Sequence, residues 1–202
     1  MTKMKFCGLT RPCDIQAANA LGPAYIGFVF APGSRRRIHP ETARALKALL
    51  NPRIQAVGVF VDEKPQVIAE LANSGLIDLI QLHGCEDETY IRQLRAHTDR
   101  PVIQAFRIRT ARDIRTAGAT TADYLLLDAG AGTGKVFDWR LLGEMQRPYF
   151  LAGGLGPGNV SAAIRMLHPY GVDVSSGIET DGAKDLEKMA AFAAAVRKED
   201  EP

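Results

Sequence analysis

Short apolar runs alternate with longer amphipathic ones along the chain. The apolar runs, about five to seven residues each, begin at Met4-Lys5-Phe6-Cys7 and Tyr25-Ile26-Gly27-Phe28-Val29-Phe30. They continue through residues 55–61, Leu79-Ile80-Gln81-Leu82-His83, residues 101–108, 124–128 and 149–152, and end at Gly171-Val172-Asp173-Val174-Ser175. Each predicts a strand. Between them lie helical patterns. Pro40 opens one, as proline suits a first helical turn. Residues 86–97 set Tyr90, Ile91 and Leu94 at helical spacing, and Asp138 is placed to cap a short helix. Residues 159–167 form another, and residues 183–197 the strongest, with Leu186, Met189, Ala190, Phe192 and Val196 on its apolar face.

Strict alternation of this kind predicts parallel strands with right-handed crossovers. The alternative is an open doubly wound sheet. Eight evenly spaced units favour an α/β closed form without edges, a (β/α)8 TIM barrel. The 202 residues suit a single domain, 1–202, with a charged tail at 198–202 that frays. A chain of this size buries about 70% of its unfolded surface, so stability requires neither metal nor disulfide. A formal charge of +2 predicts no strong attraction to nucleic acid or membrane. The sequence contains no apolar run of 18 residues and no signal peptide pattern, so a cytoplasmic location is expected. The three cysteines cannot all pair, and no Cys/His cluster has zinc-site spacing, so reduced thiols and no metal are expected. Cys13 and Cys85 are read as inert.

Barrels of this class keep their chemistry at the carboxyl ends of the strands. Cys7 stands there on the first strand, before Gly8-Leu9 and a helix cap at Thr10. Asp128 stands there on the sixth, after three leucines and before Ala129-Gly130. A structural thiol and a turn carboxylate are the plain alternatives. Together the two provide a base and an acid for proton transfer. Two-residue alternation puts Lys5 on the face of Cys7, where a cation favours the thiolate. Gln81 and His83 share one face of the fourth strand, His83 as a catalytic helper or a structural histidine. Arg35-Arg36-Arg37 follow the second strand, either as a solvated face or as a fork for a substrate carboxylate. Three glycine-rich mouths follow consecutive strands: Gly132-Thr133-Gly134-Lys135, Gly153-Gly154 and Ser175-Ser176-Gly177. Such backbone suits phosphate. It is no ATP loop, because Ala129 and Val136 stand where that pattern needs glycine and a hydroxyl residue.

Taken together, these segments resemble the phosphoribosylanthranilate isomerase family nearly end to end. The likeness rests on Lys5-Phe6-Cys7-Gly8-Leu9-Thr10, Gly27-Phe28-Val29-Phe30 with Ser34-Arg35-Arg36, and Gly58-Val59-Phe60-Val61. It continues through Gln81-Leu82-His83-Gly84, Leu127-Asp128 and Gly132 to Trp139, then Ala152-Gly153-Gly154-Leu155 with Asn159-Val160, and Val172 to Glu179. The resemblance implies a barrel that performs an Amadori rearrangement without cofactor, turning N-(5-phosphoribosyl)anthranilate into 1-(2-carboxyphenylamino)-1-deoxyribulose 5-phosphate in tryptophan biosynthesis. It implies Cys7 as general base, Asp128 as general acid and Arg36 on the anthranilate carboxylate. It puts Gln81, His83 and Asp173 among the substrate-binding residues and the three glycine-rich mouths on the phosphate. The only partner implied is this small phosphorylated molecule, met by a monomer or homodimer. Phe6 replaces a more usual aliphatic residue, and the loop before Gly132 is short. The related histidine-pathway isomerases carry aspartate where this chain has Cys7. A Schiff-base aldolase needs a lysine inside the barrel, whereas Lys135 lies in a loop. A non-catalytic phosphate-binding scaffold has no need of both Cys7 and Asp128.

Overall fold

The computed structural model describes residues 1–128 and 139–200. Its eight parallel strands close into a barrel in chain order, the first pairing with both the second and the eighth. They are β1 (Lys3–Cys7), β2 (Tyr25–Val29), β3 (Gln55–Phe60), β4 (Leu79–Leu82), β5 (Val102–Arg107), β6 (Tyr124–Asp128), β7 (Tyr149–Ala152) and β8 (Gly171–Val174). Helices α1 (Pro12–Leu21), α2 (Pro40–Ala48), α3 (Pro65–Asn73), α4 (Glu88–Arg95) and α5 (Ala111–Gly118) follow the first five strands. A 3-10 turn (Trp139–Glu144) precedes β7, α6 (Val160–Leu167) follows it, and α7 (Leu186–Asp200) comes last.

The two-residue alternation of each strand divides the core into two layers. Val57, Leu79, Ile103, Leu126 and Phe150 fill the barrel interior. Their neighbours Ala56, Ile80, Val102, Leu125 and Leu151 face outward and pack under the helices. Phe6 belongs to the outer layer, fully buried, with its ring 6.3 Å from that of Phe192 on α7. Lys5 and Cys7, one residue to either side of it, therefore point inward.

Local chemistry sets the helix starts. Proline occupies the first turn of α1, α2 and α3. The cap expected at Thr10 is built differently. Asp14, inside α1, reaches back and accepts from the backbone N–H of Thr10 (2.9 Å) and of Arg11 (3.0 Å). Asp138 lies outside the described residues. The helix predicted over 183–197 starts later, at Leu186, because Ala183 and Lys184 pair antiparallel with Glu179 and Thr180 in a small hairpin. Of the apolar face expected there, Met189, Phe192 and Val196 are buried, whereas Leu186 and Ala190 are exposed, and the expected first turn is used by that hairpin.

Candidate active site

Strand register assembles the site. Lys5 on β1 lies level with Asp173 on β8, both directed inward, and the Lys5 Nζ donates to Asp173 Oδ1 at 2.7 Å. The pair is buried. Burial disfavours the charged lysine, but the charges of Asp173 and Cys7 and the hydrogen bonds to both outweigh it and raise its pKa. Lys5 is thus a lysine inside the barrel, kept ionised and unsuited to Schiff-base chemistry.

Cys7, two residues further along β1, is buried with Val29, Ala31 and Val59 at the rim of the barrel interior. Burial pushes its thiol pKa up, and the charge of Asp173 adds to this. Lys5 and Lys184 pull it down without reversing the sign. The expectation that Lys5 favours the thiolate thus holds in direction, but burial prevails in the free protein. The hydroxyl of Ser175 donates to the Cys7 carbonyl at 3.0 Å, tying the loop after β8 to the end of β1.

Asp128 ends β6, level with Ala152 on β7 and Arg107 on β5. Its Oδ2 lies 3.8 Å from His83 Nε2. The other ring nitrogen, Nδ1, is 2.8 Å from Gln81 Nε2. With the amide donating, Nδ1 is the acceptor and the ring proton sits on Nε2, toward Asp128. Gln81, His83 and Asp128 therefore form one polar row across the rim from β1. The Gln81 Oε1 is buried and has no hydrogen-bond partner among the described residues.

Arg36 hangs over the same rim. Its guanidinium is held side-on by Glu179, with Nε 2.6 Å from Oε1 and Nη2 2.7 Å from Oε2. Arg35 and Lys184 also reach Glu179, at 2.9 and 2.7 Å. Burial opposes ionisation of Glu179, but the hydrogen bonds and charges of Arg36 and Lys184 prevail and bring its pKa down to about 2. Sequence reasoning assigned Glu179 and Lys184 no role. The signal present was a charged pair flanking a turn beyond the last strand.

Two of the three expected phosphate mouths are described. Gly153 and Gly154 follow β7, and Ser175, Ser176 and Gly177 follow β8. The loops touch: a Cβ at Gly177 would lie 1.9 Å from the Leu155 carbonyl oxygen, so glycine is the residue that fits there. The third, Gly132, Thr133, Gly134 and Lys135, lies outside the described residues. A cavity of about 690 Å³ opens at the opposite end of the barrel, beside Lys3, Ala24, Ile54 and Asp200, away from these groups. Cys13 and Cys85 are exposed. No helix among the described residues is long and apolar enough to cross a membrane.

The rim thus joins a thiol, a carboxyl, an arginine fork and two glycine-rich loops, an arrangement that can move protons on a doubly anionic molecule. Residues 4–195 match the family model for N-(5'-phosphoribosyl)anthranilate (PRA) isomerase. An N-(5'-phosphoribosyl)anthranilate isomerase of Endomicrobium trichonymphae is 46% identical, over 94% of this chain and 95% of its own. The crystal structure of phosphoribosyl anthranilate isomerase from Thermotoga maritima superposes with a TM-score of 0.90 at 36% identity, over 98% of this chain and 100% of its own. A crystal structure of a phosphoribosyl anthranilate isomerase in complex with reduced 1-(o-carboxyphenylamino)-1-deoxyribulose 5-phosphate gives 0.88 at 35%, again over 98% and 100%.

Proposed function

The chain belongs to the phosphoribosylanthranilate isomerase family, and on that premise we propose how its residues divide the reaction. It is an isomerase of tryptophan biosynthesis acting on N-(5'-phosphoribosyl)anthranilate. In the proposed reaction Asp128 protonates the ribose ring oxygen, and the ring opens to a Schiff base. Cys7, as thiolate, removes the proton from C2′. The enolamine that forms tautomerises to the ketose, 1-(2-carboxyphenylamino)-1-deoxyribulose 5-phosphate. No electron leaves the molecule, so the step needs no redox partner.

One observation carries this reading: an inward-facing thiol and a carboxyl end two strands of the same rim, β1 and β6. Each positioned proton transfer is worth roughly 10²- to 10⁴-fold in rate. The remaining residues hold the substrate. The loops at Gly132–Lys135, Gly153–Gly154 and Ser175–Gly177 take the phosphate, and Arg36 takes the anthranilate carboxylate. Gln81, whose carbonyl lacks a partner among the described residues, accepts from a substrate hydroxyl, and His83 orients Asp128. Asp173 keeps Lys5 charged beneath the thiol and faces the sugar. One barrel domain, residues 1–202, acts in the cytoplasm as a monomer or homodimer.

The test is loss of fluorescence of freshly made phosphoribosylanthranilate. Wild type consumes it. Cys7→Ala and Asp128→Ala keep the wild-type melting temperature and lose at least about 10²-fold in kcat. Wild-type turnover in either variant removes that residue from the mechanism.

A further inference from the structure

Glu179 lies in β9 (Glu179–Thr180), paired with β10 (Ala183–Lys184) beyond the last barrel strand. Its side chain is 4% exposed, yet it faces the cations of Arg35, Arg36 and Lys184. One carboxylate among three cations leaves a local excess of positive charge. Such an excess suits an anionic ligand better than a structural clasp, which needs only balance.

The geometry at Arg36 is more specific. A guanidinium has two edges that can fork onto a carboxylate. Glu179 occupies the side edge, through Nε and Nη2. The end edge, Nη1 with the second hydrogen of Nη2, bears no hydrogen bond among the described residues. The arginine stem is fixed from below as well. A Cβ at Gly8, the residue after Cys7, would lie 2.5 Å from Arg36 Cδ, so the chain must be glycine there for Arg36 to cross it. The same carboxylate holds Lys184, whose Nζ also donates to the Ser175 carbonyl at 3.0 Å. Glu179 therefore links the arginine fork to the loop after β8.

We propose that Glu179 is the positioning residue that turns the open edge of Arg36 toward the aromatic carboxylate of the substrate. The inference rests on the reading of Arg36 given above and deepens it. Glu179 touches no reacting atom. It holds the fork so that the substrate carboxylate is met by two parallel N–H groups rather than by a mobile side chain.

The experiment compares the wild-type chain with Glu179→Gln, Glu179→Ala, Arg36→Lys and the double variant Glu179→Gln/Arg36→Lys. It measures kcat and KM for phosphoribosylanthranilate, dissociation constants for the reduced product analogue and for inorganic phosphate, and melting temperature. Glu179→Gln keeps the shape of the side chain but replaces one acceptor by a donor. It should raise KM and weaken the analogue about tenfold, with kcat and phosphate affinity within about twofold of wild type. The double variant should be no weaker than Arg36→Lys alone, since the two residues act as a unit. If Arg36→Lys weakens the analogue and Glu179→Gln does not, the positioning role is overturned while the reading of Arg36 survives. If neither weakens it, the carboxylate contact itself is wrong. If Glu179→Gln lowers kcat and phosphate affinity together with melting temperature, Glu179 is a structural clasp and the proposal fails. Should Glu179→Ala not fold, the glutamine variant decides alone.

Discussion

At the scale of single residues, the site depends on charges kept in places that disfavour them. Cys7 is the sharpest case. The base proposed here must be deprotonated to act, but burial holds this thiol above its ordinary value of 9.0 despite Lys5 and Lys184. In a Cys13→Ser/Cys85→Ser background, alkylation of Cys7 by iodoacetamide should therefore keep accelerating as pH rises through 9 and beyond. A rate already on its plateau at pH 7 would show a thiolate in the free protein. Glu179 is the opposite case. Its folded-state pKa, about 2, lies below the ordinary 4.5, so its contribution to stability is complete above pH 4.5 and is lost as pH falls through 2. The melting-temperature gap between wild type and Glu179→Gln should close over that interval. A gap unchanged down to pH 2 contradicts the pairing. Cys7 and Asp128 were legible in the sequence because each is a polar residue ending an apolar run. Glu179 was not, because its importance comes from Arg35 and Arg36, more than a hundred residues earlier in the chain, and no local pattern records that meeting.

At the scale of elements, binding in the proposed function falls to the loops after the strands, with the helices and strands holding them still. The contact between Gly177 and the Leu155 carbonyl ties the loops after β7 and β8 into one wall. Gly177→Ala has to separate them, so its affinity for inorganic phosphate should fall about tenfold or more, with the barrel still folded by circular dichroism. Unchanged affinity would detach this wall from phosphate binding. Strand positions could be read because hydrophobic runs of this length, separated by amphipathic helices, have few other solutions. Strand and helix ends could not. The first turn predicted for α7 is a hairpin, since Lys184 finds a better partner in Glu179 than a helix would offer it. The cap of α1 comes from Asp14 within the helix rather than from Thr10 before it.

At the scale of the molecule, closure of the barrel brings the first and last strands together, and Lys5–Asp173 sits on that seam. Breaking a buried pair from one side leaves a stranded charge and costs about 3–5 kcal/mol, whereas replacing both partners by apolar groups of similar size costs far less. Urea unfolding should find Asp173→Leu strongly destabilised and Lys5→Met/Asp173→Leu closer to wild type. Additive losses would contradict a coupled pair. That the chain closes at all was legible from the count of eight evenly spaced units. That a lysine and an aspartate of the end strands meet at the same level was not, because register is set by packing around the whole ring.

The most direct measurement is a crystal structure of this protein with the reduced product analogue bound. The account predicts Cys7 Sγ at ~3–3.5 Å from C2′, the near-attack distance, and the Asp128 carboxyl at the oxygen released from the ribose ring. It also predicts the carboxylate on the end edge of Arg36. An analogue seated with its phosphate on the loops after β7 and β8 but with its C2′ out of reach of the sulfur would contradict it.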